Sequence, residues 1–255
     1  MKNFVFFVFL TQLSTGVSAQ LSGEISYLTK VNVHRSLPDD ERGQRMKEWI
    51  PEFTEFKTLL LFSQEQTLYK NVQEEAVDLS VEEEGGWNPA RMRQHMMARL
   101  APPNDVIYTD VTKGHVTLKK EFMDKIFLIR DTLTLSNWKL TGDQMSVSGF
   151  SCLKAEYLPK EGDTNMVSVW FTPEIPVSSG PAGYGGLPGL IVHLNINDGG
   201  TVITLAEMVM RELVKGEIDE PKKGKEITQE EFDAMVEKKK EQQRQQWQGG
   251  GGHAH

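Results

Sequence analysis

The sequence predicts a mainly β protein built on one long, curved antiparallel sheet, and three observations carry that expectation. From Thr54 to Met210 the apolar residues recur mostly with a period of two, the signature of half-buried strands. The runs are short and separated by turn residues, most clearly Asp198-Gly199-Gly200, where glycine reaches the positive φ of a tight hairpin. No helix-length segment separates the central strands, so the crossovers that parallel pairing needs are missing. A meander of roughly eight to ten strands follows, and a twisted sheet that wide tends to curl.

Before the strands, Lys2 and the apolar run Phe4–Leu10, then "VSA" before Gln20, form the three-part pattern of a secretory signal peptide over residues 1–19. The run is too short to span a bilayer, which takes roughly 20 residues. Residues 20–214 are read as one β domain. Its first strand is "GEISYLTKVNV", where Ile25, Tyr27, Thr29, Val31 and Val33 alternate. In "LPDDERGQRMKEWIPEF" Asp39 and Asp40 mark a helix start, and Met46, Trp49, Ile50 and Phe53 fall on one helical face, with Pro51 kinking or ending it. "FKTLLLFSQEQTLYKNV" reads as strand, turn, strand. A polar insertion at about 73–103 holds a short helix capped by Asn88 with Pro89 at its first position.

Further strands are expected at 106–111, 115–123, 125–135, 145–158, 166–172, 190–197 and 201–210. Residues 215–255 are charged and Gln-rich. Thr228 and Glu231 resemble a capping box opening a polar C-terminal helix with a thin stripe of Phe232, Met235 and Val236, and a Gly/His tail follows.

Composition excludes several classes. The net charge is −8, so nothing favours non-specific binding to nucleic acid or anionic lipid. Cys152 is the single cysteine, so no internal disulfide forms. No second membrane-length apolar run is present, so the chain is not expected to be an integral membrane protein. Zinc-protease, P-loop, nucleophile-elbow and dinucleotide motifs are absent.

The densest punctuation is "PVSSGPAGYGGLPGLIVHL", Pro176 to Leu194. Its hexapeptide Gly186-Leu187-Pro188-Gly189-Leu190-Ile191, with "FLIRDTL", "NWKL", "GFSCLKA" and "VWFTPEIPVSSGP" in that order, resembles the GLPGLI family of exported Bacteroidota proteins. The resemblance covers about residues 23–212 and brings no established activity. Physically, restricted and permissive positions interleave here. The simpler reading is a tight corner feeding a strand, with Leu187 plugging the core. The functional one is a ligand- or partner-binding loop of Tyr184, Gly186, Leu187, Pro188, Gly189 and Leu190. Leu190, Val192, Leu194 and Ile196 are expected on one strand face, with Ile191 and His193 on the other.

By strand pattern the shape is similar to the half-barrel of periplasmic lipoprotein carriers such as LolA. The first functional reading is therefore a periplasmic or extracellular, non-enzymatic binding module of the cell envelope, for a small hydrophobic ligand or an envelope protein, with no cofactor. Two alternatives stay open. Met92, His95 and Met96 offer thioether and imidazole donors suited to Cu(I), though an apolar helical stripe is simpler, and His253 with His255 could weakly hold a divalent metal. The other is a hydrolase with a dispersed site. Cys152, mid-strand, reads as a buried structural thiol.

Overall fold

The computed structural model describes residues 21–72, 104–133, 137–158 and 165–249. The helix expected after Asn88, the Met/His segment and the His tail lie outside them. Among the described residues twelve strands form one sheet, so the sequence undercounts them. They are β1 (Gly23–Asn32), β2 (Phe53–Phe62), β3 (Gln66–Asn71), β4 (Val106–Asp110), β5 (His115–Phe122) and β6 (Lys125–Thr132). Then come β7 (Trp138–Val147), β8 (Phe150–Tyr157), β9 (Val167–Thr172), β10 (Leu190–Ile196), β11 (Thr201–Met210) and β12 (Lys225–Glu226). The spatial order is β12-β6-β5-β4-β3-β2-β1-β11-β10-β9-β8-β7, so two meanders meet where β1 pairs with β11.

Two differences from the sequence reading have local causes. The run 145–158 is two strands, because Ser148 (φ 49°) and Gly149 (φ 86°) supply the paired positive φ of a tight hairpin. The preceding "NWKLTGDQ" segment belongs to β7. The expected helical face at Met46, Trp49, Ile50 and Phe53 also breaks. Helix α1 spans only Glu41–Lys47, with the Asp40 carboxylate accepting from Gly43 N at 2.8 Å, and Phe53 already starts β2. Of the other residues, Ile50 is buried and Trp49 is 68% exposed.

One face of the sheet is the core. Register carries a row inward across six strands, Ile25, Leu60, Tyr69, Ile107, Leu118 and Ile129. On the other side Thr29, Ile203, Leu194, Val169, Ala155 and Leu140 continue it. Most of this inner face is apolar and buried. Tyr27 is fully buried, and its hydroxyl donates to the Ile191 carbonyl at 2.8 Å, which satisfies both polar groups. The tip of the β7–β8 hairpin reaches back over the sheet, where the Ser148 hydroxyl donates to the Leu205 carbonyl at 2.9 Å.

Residues 211–224 cross the outer face as a strap. Leu213 and Ile218 pack on Leu61, Leu68 and Tyr108. The strap ends in β12, which pairs with β6 in the one parallel ladder among the described strands. Helix α2 (Gln229–Gly249) then turns onto the inner side, where Phe232 meets Phe122 and Phe127 edge-on. Thr228 and Glu231 form the expected capping box, each side chain accepting from the other's backbone N–H at 3.1 Å.

Charge latches the strap. Arg211 donates to Glu24 at 2.6 Å and to Glu217 at 2.7 Å, and Glu220 accepts from Thr117 at 2.7 Å and faces His115 and Arg130. The hydrogen bonds from Arg211 hold the Glu217 carboxyl down to about 2. A depressed carboxyl contributes stability that is present above its unfolded value and lost as pH falls through the folded one. Acidification from about pH 4.5 to about 2 is therefore expected to loosen the strap. Protection factors of 211–226, with the intrinsic pH dependence of amide exchange divided out, should fall across that window, and Glu217→Gln should lower them already at neutral pH. Protection unchanged to pH 2 would refute the latch.

Candidate functional site

The Pro/Gly-rich segment of residues 173–189, between β9 and β10, folds back over the inner face. Ile175, Val177 and Leu187 are buried in the same core as Val169, Leu190 and Leu194. Backbone bonds rivet it down, Ile191 N to Ser179 O and Leu190 N to Ile175 O, both at 3.0 Å. An isolated antiparallel bridge between Ser179 and Gly185 closes the loop on itself. The Trp138 indole N–H donates to the Gly185 carbonyl at 2.8 Å, with Tyr157 and Tyr184 around the indole ring.

Glycine is required here at two kinds of place. Gly189 lies at φ +153°, and a Cβ there would fall 2.1 Å from the Thr172 carbonyl oxygen. Gly180 has extended backbone, but its Cβ would meet the Ile191 side chain at 2.6 Å. Gly186 also has positive φ, and Ala182 holds φ 55° without being glycine.

Between this loop and strands β2–β4 a cleft of about 40 Å³ remains. One wall is Leu60, Thr67, Tyr69, Ile107 and Thr109; the other is Ser178–Gly180 and Gly183–Gly186. Val111 and Leu133 complete the lining. The Tyr69 phenol is pushed above its ordinary range by burial, against opposing hydrogen bonds with Thr58, Thr29 and the Ala182 backbone, so it stays neutral. None of the lining side chains is acidic, basic or imidazole.

The residues singled out by sequence separate into groups. Tyr184 and Gly186 line the cleft. Leu187, Gly189 and Leu190 are buried beside it, and Pro188 is exposed. Ile191, expected on the outer side, is fully buried, because the ladder to β9 shifts register between Ile191 and His193. Sequence reading missed Thr67, Tyr69 and Thr109. For Thr67 and Thr109 the signal was threonine at inward-facing positions of otherwise apolar strands. Met92, His95, Met96, His253 and His255 lie outside the described residues, and among those described no group of three His, Cys, Asp or Glu side chains could hold a metal.

The other shifted titratable groups sit elsewhere. Cys152 is 2% exposed, and burial pushes its thiol up. On the outer face Asp110 is 1% exposed. Its burial is outweighed by hydrogen bonds from Lys113 and Gln66, which hold the carboxyl well below the usual range. Burial and the Asp110 charge push the Tyr108 phenol up to about 12.

Comparisons with known proteins add the following. A family model described as "Protein of unknown function (Porph_ging)" matches residues 159–193, which include β9 and the loop over the core. No curated protein matches the chain. Two structures of PNGF-II, in P21 and C2 crystals, superpose with a TM-score of 0.54 at 14% and 16% identity. They cover 85% and 86% of this chain, which spans 33% of theirs. An uncharacterised conserved protein from Thermus thermophilus gives a TM-score of 0.40 at 5% identity, over 82% of this chain and 91% of its own. At 14% and 16% identity the likeness to the PNGF-II structures is one of β fold, and the short match is to a family of unknown function.

Proposed function

We propose that the protein is an exported binding module of the cell envelope whose partner is a protein docking at the rim of the 173–189 loop. The GLPGLI resemblance and the N-terminal signal pattern motivate the export. The observation that carries the choice of partner is the filling of the inner face by this loop. A curved sheet that carried a hydrophobic ligand would offer a cavity of roughly 300–1,000 Å³. Among the described residues, the cleft left between this loop and strands β2–β4 is about 40 Å³. Tyr184 lines it and Pro188 is exposed on the same loop, whose backbone is riveted at both ends. Such a loop is pre-ordered, so a partner loses little to ordering it. The strongly shifted groups are latched to structural partners and are absent from the cleft lining, which favours binding over catalysis.

The test is site-specific photo-crosslinking of the exported protein, with the reactive side chain at Tyr184, at Pro188, or at the exposed control Glu121. Tyr184 and Pro188 are expected to capture one and the same envelope protein, Glu121 none, and the exported protein carrying the crosslinker should itself begin at Gln20. A lipid or other apolar molecule co-purifying at unit stoichiometry, with no crosslink from the rim, would replace this reading with the hydrophobic-ligand one.

A further inference from the structure

The cleft is small, neutral and hydroxyl-lined, and its chemistry narrows what part of a partner can enter it. In a chain with 25% charged residues, none of its lining side chains carries a charge. Anions and metal ions therefore find no counter-charge there. Thr67 is 6% exposed, and its hydroxyl makes no hydrogen bond to another described residue. The same holds for Thr109 beside it and for Ser178 and Ser179 on the opposite wall. Thr67 is buried, Thr109 and Ser179 are half-buried and Ser178 is exposed, and each hydroxyl can both donate to and accept from a ligand at the cleft. Gly183, whose missing Cβ would point at the cleft-lining Ile107 side chain at 3.3 Å, presents bare backbone there, so a second backbone can approach closely. The volume is too small for an acyl chain or a drug-sized molecule, and it seats one small polar group.

We propose that this cleft, between the Ser178–Gly186 loop and strands β3 and β4, binds an uncharged amide of the partner polypeptide. The amide is a backbone unit or an Asn or Gln carboxamide, held between the Thr67/Thr109 and Ser178/Ser179 hydroxyls. Amide N–H groups donate to hydroxyl oxygens, and the amide oxygen accepts from hydroxyl hydrogens, so both walls are used. The inference rests on the reading of the loop rim as a protein-docking site and names the chemistry recognised there.

The experiment is NMR titration of the purified, methyl-labelled protein with N-methylacetamide, acetate and xenon as separate probes. N-methylacetamide is expected to shift the Ile107, Thr67 and Thr109 methyl signals saturably, and acetate is expected to leave them unmoved. Thr67→Val with Thr109→Val keeps shape while deleting both hydroxyls, and should weaken amide binding about tenfold. Ser178→Ala reports the opposite wall and should also weaken it. Unchanged spectra elsewhere show that the variants remain folded. Equal binding of acetate, or occupation by xenon with no response to the amide, would overturn the proposal. So would amide binding indifferent to all three substitutions. Crosslinking from Tyr184 is read separately, so a failed titration with an intact crosslink removes the amide subsite and leaves the docking module.

Discussion

Gly189→Ala is expected to destabilise the fold by about 2–4 kcal/mol, combining a conformation that alanine resists with a close approach that it cannot relieve. At φ +153° an L side chain is strained whatever surrounds it, and the new Cβ would also lie 2.1 Å from the Thr172 carbonyl oxygen and 3.0 Å from Pro173 Cα. Those atoms are backbone, and Thr172 pairs with Leu190 in the β9–β10 ladder, so its carbonyl cannot step aside without disturbing that ladder. Gly149 isolates the first component. It has φ +86° with nothing within 4 Å of its missing Cβ, and Gly149→Ala should cost only about 1 kcal/mol. Urea unfolding of both variants beside wild type makes the comparison. If Gly189→Ala shifts the midpoint no more than Gly149→Ala, the close approach is not what demands glycine at 189.

This contrast also marks what could be read without coordinates. The hexapeptide announces a glycine-dependent corner, because Pro188 fixes its own φ and restricts the residue before it. Both Gly186 and Gly189 do have positive φ. Leu187 in the core follows from an apolar residue between two glycines facing an apolar sheet. The antiparallel sheet was legible from period-two patterning, which depends only on neighbours along the chain. What escaped depends on neighbours across it. The two-residue strand Lys225–Glu226 has no pattern of its own and exists because the strap delivers it to the free edge of β6. The Ser148-Gly149 turn lay hidden because only one of its two positive-φ residues is glycine. Of the cleft, sequence pointed to Tyr184 and Gly186, whereas Thr67, Tyr69 and Thr109 join it only once register brings β3 and β4 under the loop.

Ile191 is the sharpest case of such non-local control, and it carries the second large effect. Simple alternation from Leu190 places it outward and makes Ile191→Ala mild. The register shift between Ile191 and His193 instead turns it into the core, where it is fully buried, packs against Gly180 and offers its carbonyl to Tyr27. Ile191→Ala is therefore expected to cost about 2–5 kcal/mol, and Ile191→Val about 0.5–1.5. Leu187→Ala belongs to the same range. Its cost should be the smaller of the two, because Leu187 sits on a loop that can settle into the space it leaves. Ile191 is walled by β9, by Tyr27 and by a glycine that the Ser179–Ile191 backbone bond keeps in place. A cavity that cannot collapse retains its full penalty. Urea midpoints at unchanged slope would measure all three. If Ile191→Ala cost no more than Ile191→Val, the residue would face solvent, and simple alternation would be the correct description of β10.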